Sequence, residues 1–241
     1  MVCFQNGQKQ RMTNPLVRST QPVTLVGGGD ASADDVKLAL KQASTLVAAD
    51  GGADLLVSMD LEPEAVIGDL DSLSAATKAR IPQDRLFPIR EQDSTDFDKA
   101  VRSILAPVIL GVGFLGARVD HQLAAFNVLA RQSHVPCILI GAHEIVFLLP
   151  PELRVELDAG EVVSLFPMAE ARARSRGLEW PLDGLEMTPV GFIGTSNRAV
   201  GGEMWISTRT PTLLAMLPRH ALDQVMPQVA RGPGQVAPWR A

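Results

Sequence analysis

Tyrosine is absent from this chain of 241 residues, and aromatic residues make up only 5% of it. A surface that stacks nucleic-acid bases needs several exposed aromatic rings, so this composition argues against such a surface. The formal net charge is −5 and no run of lysine and arginine occurs, which argues against non-specific attraction to phosphate backbones. We therefore expect no nucleic-acid partner.

Cysteine is scarce as well, with only Cys3 and Cys137 in the chain. A disulfide would have to join a polar N-terminal segment to an apolar strand, so we expect none, as in cytosolic proteins. No apolar run approaches the about 20 residues that a membrane-spanning helix needs. The first residues also lack the apolar core of a secretory signal. These observations predict a cytoplasmic protein without a membrane partner.

Short apolar runs alternate with turns and helical patterns over the first part of the chain. The runs Val23–Val26, Thr45–Ala49 and Cys137–Ile140 predict strands, and Ser32 with Asp35 predicts a capping box at the start of a helix. This alternation predicts an α/β domain over residues 22–142, with a mainly parallel, Rossmann-like sheet.

The pattern changes near residue 142. From residue 143 to 218, short strand-like runs are separated by proline, glycine and aspartate, which predicts an all-β sandwich as the second domain. Residues 1–21 and 219–241 are predicted to be flexible tails.

Five aspartates stand in two short clusters, each after an apolar or extended run. The first cluster contains Asp69 and Asp71, and the second contains Asp93, Asp96 and Asp98. Carboxylates this close repel one another unless a cation lies between them, and oxygen ligands suit Mg²⁺. If the strand stays extended, its period of two points the first pair the same way. The alternatives are a polar turn for the first pair and a helix cap for Asp98.

Two glycine-rich turns follow predicted strands, namely Gly27-Gly28-Gly29 and Asp50-Gly51-Gly52. Glycine lets a backbone approach a phosphate closely and point N–H groups at it. Neither turn is a Walker loop, because the Gly-Lys-Ser/Thr sequence is missing. Each turn is therefore either part of a phosphate site or a plain connection.

Further polar residues stand at the start of a later predicted helix and in the second domain. Arg118 suits a bidentate phosphate contact, and Asp120 is either a site residue or a helix cap. In the second domain, the segment Thr195-Ser196-Asn197 is typical of a turn, and Trp180 is typical of a core residue.

Taken together, these motifs resemble the thiamine pyrophosphokinase family. The resemblance covers roughly residues 23–217, with its motifs in the family's order. The stretches that carry it are Ala49–Ala53, Ile67–Ser72, Asp93–Ala100, Gly116–His121, Gly177–Leu182 and Thr195–Asn197.

The resemblance implies an α/β domain followed by a β-sandwich, in a homodimer with active sites at the subunit interface. It implies transfer of a pyrophosphoryl group from ATP to the hydroxyl of thiamine, which yields thiamine diphosphate and AMP, with Mg²⁺ as cofactor.

The resemblance also assigns roles to particular residues. The implied metal ligands are Asp69, Asp71 and Asp96. The implied catalytic residues are Asp71, Asp96 and Asp120. The implied nucleotide-binding residues are Gly28, Gly29, Asp50, Gly51, Gly52, Gln92, Ser94, Thr95, Lys99 and Arg118. The implied thiamine-binding residues are Trp180, Ser196 and Asn197.

Two rival functions remain open at this point. One is a phosphatase of the aspartyl-phosphate type, because Asp69-Leu70-Asp71-Ser72 resembles its nucleophile motif. That motif normally follows the first strand of its domain, whereas here it follows the third predicted strand, Ala65–Ile67. The other is a nucleotide-binding sensor without catalysis.

Overall fold

The computed structural model describes residues 14–230. The strands in this part of the chain are β1 Val17–Arg18, β2 Val23–Val26, β3 Thr45–Ala49, β4 Ala65–Gly68, β5 Leu86–Pro88, β6 Ile104–Leu105, β7 Ile109–Val112, β8 Cys137–Ile140, β9 Glu144–Leu148, β10 Glu152–Leu157, β11 Val162–Pro167, β12 Ala171–Arg176, β13 Glu186–Met187, β14 Gly194–Arg198, β15 Gly202–Thr208 and β16 Leu213–Pro218. The α-helices are α1 Ala33–Gln42, α2 Gly52–Ser58, α3 Ala75–Arg80, α4 Asp96–Ser103, α5 Val119–Arg131 and α6 Leu222–Val229, and Gln83–Arg85 and Arg219–Ala221 form 3₁₀ turns.

Ten strands form one large mixed sheet in the order β14-β11-β16-β9-β8-β7-β2-β3-β4-β5. The strands from β8 to β5 are parallel, and β9, β16, β11 and β14 continue the sheet with antiparallel pairing. A second sheet, β10-β15-β12-β13, is antiparallel.

The large sheet is continuous across the boundary that the change of sequence pattern indicates. Strand β8 turns back at Gly141 and pairs antiparallel with β9, with Ile140 opposite Ile145. Because such a hairpin needs only a short connection, the chain enters its antiparallel part without leaving the sheet. The parallel and antiparallel parts therefore share one hydrogen-bonded sheet.

The pattern of burial differs between the parallel strands of the large sheet and the strands of the second sheet. Every residue of β2, β4, β7 and β8 is buried, because helices α1 and α2 cover one face and α4 and α5 cover the other. In β10, by contrast, buried Leu153, Val155 and Leu157 alternate with exposed polar residues. That alternation fits a sheet with one face in the core and one in solvent.

The prediction of flexible tails is wrong for the described parts of both ends. Strand β1 pairs with β6, and helix α6 buries Leu222 and Val225. Gln224 and Gln228 of this helix each donate to and accept from the main chain of edge strand β10. The helix therefore covers a strand edge, which the proline and glutamine content of the segment did not suggest.

Residues 1–13 and 231–241, including Cys3, lie outside the described residues, and so does the tail prediction for them. Within residues 14–230, no helix combines the length and the apolar character that crossing a membrane requires.

Candidate active site

Acidic side chains gather where parallel strands of the large sheet end. Asp50 follows β3, Asp69 and Asp71 follow β4, and Asp96 begins α4. Strand β2 lies between β3 and β7, so the chain order reverses beside it. Ligands of open α/β sheets bind outside the carboxyl ends of the strands at such a point.

Asp50, Asp69 and Asp71 each offer a carboxylate oxygen, and these three oxygens lie within 4.8 Å of one another. Oxygens on opposite sides of a Mg²⁺ ion are about 4.2 Å apart, since each lies about 2.1 Å from the ion. Adjacent oxygens in the octahedral shell of the ion are about 3.0 Å apart, so the three carboxylates would have to move closer together to bind one ion. The donor set, which consists of oxygen alone, also suits this ion.

Asp50 provides the strongest sign that a cation belongs here. The residue is only 3% exposed, and its Oδ1 is buried without a hydrogen-bond partner among the described residues. Its Oδ2 accepts a bond of 3.2 Å from the main-chain N–H of Ser72. Burial raises the pKa of Asp50, and repulsion from Asp96 and Asp69 adds to that rise. A cation would satisfy the unpaired oxygen and remove the repulsion.

The motifs place Asp50 in a nucleotide-binding turn, whereas the structure places it with the candidate metal ligands. The available signal was an aspartate directly after an apolar strand and before two glycines. Asp50 has a φ of 41°, a left-handed conformation that aspartate adopts more readily than most residues.

Asp69 and Asp71 converge, but not through extended geometry. Strand β4 ends at Gly68, and Leu70 has a φ of 64°, so the period of two does not hold between the two acids. The turn is closed by a weak bond of 3.4 Å from the N–H of Asp71 to Asp69 Oδ1. The predicted convergence is therefore observed with a different cause, a turn with one left-handed residue.

Lys99 lies inside the site rather than at its surface. Its Nζ donates to Asp69 Oδ2 and to Asp96 Oδ1, both at 2.9 Å, and the residue is 1% exposed. Burial lowers the pKa of Lys99, but the bonds to the two carboxylates outweigh it and the pKa lies above its usual value. The same bond from Lys99 is the main cause that lowers the pKa of Asp69. The contact of Lys99 with the nucleotide stays a prediction, to which this burial adds no support.

Gly68 allows the acids of three segments to approach one another. A Cβ atom at this position would lie 2.8 Å from Cβ of Asp50 and 3.1 Å from Oδ1 of Asp96. Any side chain here would therefore push the two acids apart.

Asp98 belongs to the packing of α4 and not to the acidic cluster. The hydroxyl of Thr95 caps the helix by accepting from the N–H of Asp98 at 3.3 Å. The buried carboxylate of Asp98 pairs with Arg131 at 2.7 Å and accepts from Gln132 at 3.1 Å. Asp98 thus ties α4 to the end of α5.

The glycine turns pack against one another. A Cβ at Gly52 would lie 2.1 Å from the carbonyl oxygen of Val26, and one at Gly29 would lie 2.5 Å from that of Gly113. Close backbone packing therefore accounts for these two glycines. Gly28 is exposed and Gly51 is half-buried, so both remain accessible to a ligand.

The other predicted nucleotide ligands lie just before α4 or at the start of α5. Gln92 is exposed, and Ser94 donates from its hydroxyl to Glu91 at 2.5 Å.

Arg118 and Asp120 form an exposed ion pair with each other at the start of α5, at 2.5 Å. Hydrogen bonding with Asp120 raises the pKa of Arg118, and the same contact lowers the pKa of Asp120. Because β2 separates β7 from β3, this pair follows a strand about 10 Å from the strand of Asp50.

The three predicted thiamine ligands differ in how far they are exposed. Trp180 is 53% exposed, so it is not a core residue. Asn197 is buried, and its amide bonds to both main-chain polar atoms of Trp180. Ser196 is exposed with a φ of 60°. Both polar residues lie in strand β14 beside an irregular register with β11, and not in the turn that the sequence indicates.

Two family models match the chain, in the order of its two parts. The model described as "Thiamin pyrophosphokinase, catalytic domain" matches residues 36–139. The model described as "Thiamin pyrophosphokinase, vitamin B1 binding domain" matches residues 151–213. Together the matches span more than half of the chain. The chain belongs to the thiamine pyrophosphokinase family.

Curated relatives in plants agree with this membership of the family. Thiamine pyrophosphokinase 1 of Oryza sativa subsp. japonica is 32% identical over 160 residues, which are 58% of this chain and 61% of the relative. Thiamine pyrophosphokinase 1 of Arabidopsis thaliana is 29% identical over 161 residues, which are 56% of this chain and 58% of the relative. The chain therefore matches about three fifths of the length of these two proteins.

Solved structures of the family share the fold. Thiamine pyrophosphokinase from Bacillus subtilis superposes with a TM-score of 0.68 at 22% identity, over 82% of this chain and 98% of that one. The yeast enzyme superposes with a TM-score of 0.67 at 18% identity, over 90% of this chain and 95% of that one. At these identities the likeness shows the fold alone, which consists of a large mixed sheet and a smaller, separate antiparallel sheet.

Proposed function

We propose that this protein is a thiamine diphosphokinase, which transfers a pyrophosphoryl group from MgATP to the hydroxyl of thiamine and releases AMP. The proposal rests on one observation, which is that the chain matches the catalytic-domain model and then the vitamin B1 binding-domain model. The convergent acids Asp50, Asp69 and Asp71 lie within the catalytic match and support it.

The residues present fit a Mg²⁺ ion. Asp50, Asp69 and Asp71 would hold it, because their oxygens converge and one buried oxygen of Asp50 has no other partner in the described chain. A bound Mg²⁺ would neutralise the polyphosphate and stabilise the charge that develops on it. Asp96 would support the site through its bond to Lys99.

The transfer itself depends mainly on positioning and charge, as phosphoryl-type reactions do. The thiamine hydroxyl oxygen attacks the β-phosphorus in line, and the bond from that phosphorus to the bridging oxygen of the α-phosphate breaks, so AMP leaves with that oxygen. Arg118 would bind phosphate oxygens after its exposed pair with Asp120 opens. Asp120 would then orient the hydroxyl and accept its proton.

The Rossmann-like part of the fold would hold the nucleotide, and the sandwich would hold thiamine. Gly28, Gly51, Gln92 and Thr95 would line the nucleotide side. Half-exposed Trp180 would offer its ring to cationic thiamine, and exposed Ser196 would offer a hydroxyl.

A homodimer with the active site at its interface is also part of the proposal. Val119 and Leu123 lie one turn apart on α5, beside Arg118 and Asp120, and expose 72% and 61% of their surface. Exposed apolar residues next to a candidate site suit an interface between subunits. The cytoplasmic location remains a prediction from the sequence.

Turnover of the purified protein tests the proposal. Incubation with MgATP and thiamine should yield thiamine diphosphate and AMP in equal amounts. Formation of ADP with thiamine monophosphate would contradict it. The rivals give other results: a phosphatase would release inorganic phosphate without thiamine, and a sensor would bind ATP without consuming it.

A further inference from the structure

The ammonium of Lys99 lies between two carboxylates that come from different parts of the chain. Asp69 follows β4 and Asp96 begins α4, and each bonds to Nζ of Lys99 at 2.9 Å. The side chain of Lys99 is 2% exposed. A lysine buried this deeply is rare unless its charge is paired, so the two acids and the ammonium form one fixed unit.

Asp69 belongs to two groups of charges at once. One of its oxygens converges with oxygens of Asp50 and Asp71, and its Oδ2 bonds to Lys99. In sites that hold two metal ions, the ions lie about 3.5–4 Å apart and a carboxylate commonly bridges them. Asp69 stands in the bridging position here, with the carboxylates of Asp50 and Asp71 on one side and the ammonium of Lys99 on the other.

We propose that Lys99 fills the second cation position of this acidic site, so that the site takes one divalent ion where four carboxylates would otherwise take two. Lys99 is thus a positioning residue, which holds Asp69 and Asp96 in place as a metal ion would. The inference rests on the proposed function only in that the acids bind a divalent ion.

The number of charges supports this assignment. Four carboxylates lie together here, because those of Asp50, Asp69 and Asp71 converge and that of Asp96 shares the ammonium of Lys99 with Asp69. A single divalent ion and one ammonium together carry three positive charges against four negative ones. Substrate phosphates would add further negative charge. The ammonium of Lys99 offsets part of this charge without having to be bound from solution.

Counting bound Mn²⁺ on the full chain tests the proposal. The probe is Mn²⁺ alone, without nucleotide or thiamine, measured by electron paramagnetic resonance of the free ion and by metal analysis after dialysis. We expect Lys99→Met to bind one more ion per chain than the unchanged protein, and Lys99→Arg to bind the same number as the unchanged protein. The double variant Lys99→Met with Asp96→Asn should return to the original number, because the added ion loses a ligand.

Lys37→Met is the matched control. Lys37 is an exposed lysine paired with Asp34 at 3.1 Å on α1, and its removal should leave the number of bound ions unchanged. An unchanged number in Lys99→Met would overturn the proposal, and so would two ions bound to the unchanged protein.

Loss of the buried ammonium can also unfold the chain, and this outcome is informative. If Lys99→Met is unfolded in the presence of a chelator, millimolar Mn²⁺ should fold it, because an ion that binds only the folded state stabilises that state. Circular dichroism measures this recovery. A variant that stays unfolded with Mn²⁺ would overturn the proposal.

The ion count is independent of turnover. A protein that fails to make thiamine diphosphate but gains an ion in Lys99→Met would lose the proposed function and keep this inference. An active protein with an unchanged count would keep the function and lose the inference.

Discussion

The amide of Asn197 holds the main chain of Trp180 through two bonds. Asn197 Nδ2 donates to the carbonyl oxygen of Trp180 at 2.7 Å, and Asn197 Oδ1 accepts from the N–H of Trp180 at 3.2 Å. The same Oδ1 accepts from the N–H of Arg198 at 2.8 Å. Asn197 therefore fixes the segment that presents the half-exposed ring, and its direct contact with thiamine stays a prediction.

Substitution of Asn197 should affect both stability and thiamine binding. Asn197→Ala leaves two main-chain groups of Trp180 unpaired, so we expect a loss of about 1–3 kcal/mol in the free energy of unfolding. The KM for thiamine should rise more than kcat falls. Trp180→Ala is the matched comparison, and it should raise the same KM with little loss of stability. Denaturant unfolding and steady-state kinetics measure both; an Asn197→Ala variant as stable as the parent would contradict the assignment.

Asp50→Asn should stabilise the metal-free protein while it weakens metal binding. The pKa of Asp50 is raised in the folded state, so folding favours the protonated acid, and stability is lost as the pH rises through that pKa. In a chelator at neutral pH, the variant should therefore unfold at a higher temperature than the parent. Adding Mg²⁺ should raise the unfolding temperature of the parent more than that of the variant.

The pH dependence provides the control for Asp50. The difference in stability between the parent and Asp50→Asn should shrink as the pH falls and Asp50 becomes protonated in the parent. Thermal unfolding in chelator across the acidic range measures it. A difference that does not change with pH would mean that ionisation of Asp50 is not its cause.

The buried pair between Asp98 and Arg131 should matter for stability and not for the chemistry. Arg131→Met leaves a carboxylate that is almost fully buried, with Gln132 as its one remaining side-chain partner among residues 14–230. We expect a loss of about 1–3 kcal/mol in the free energy of unfolding, with an unchanged KM for ATP. Lys37→Met, which breaks an exposed pair, should change stability by less than about 0.5 kcal/mol. A large rise in the KM for ATP in Arg131→Met would place this pair at the site after all.

Local sequence signals predicted the elements of the fold well. The strands Val23–Val26, Thr45–Ala49 and Cys137–Ile140 have the predicted bounds. The capping box of Ser32 and Asp35 is present, with both reciprocal bonds. These features depend on neighbours within a few residues, which a sequence pattern records directly.

Features that depend on distant partners were not accessible in the same way. The continuity of the large sheet depends on β8 pairing with β9, and the order of α6 depends on glutamines that reach β10. At the site, motif and spacing placed Asp69 and Asp96 among the ligands, but the burial of Lys99 between them arises only when β4 and α4 come together. The sequence shows which residues carry a positive or a negative charge, but it does not show which of them form ion pairs.

Asp71→Asn should lower turnover strongly and change stability little. Asp71 is exposed, and within the described part of the chain its Oδ1 accepts one side-chain bond, from the hydroxyl of Ser72 at 3.1 Å. Its amide isostere should therefore change the free energy of unfolding by less than about 0.5 kcal/mol. As a ligand of the proposed Mg²⁺ site, however, it contributes charge that the transfer step needs, and we expect kcat to fall by about 100-fold or more. Asp93→Asn is the matched control, because Asp93 is an exposed acid of the second cluster outside the convergent group. Equal turnover of Asp71→Asn and Asp93→Asn would remove Asp71 from the metal site, whereas loss in Asp71→Asn alone, partly restored by raising Mg²⁺, would identify it as a ligand.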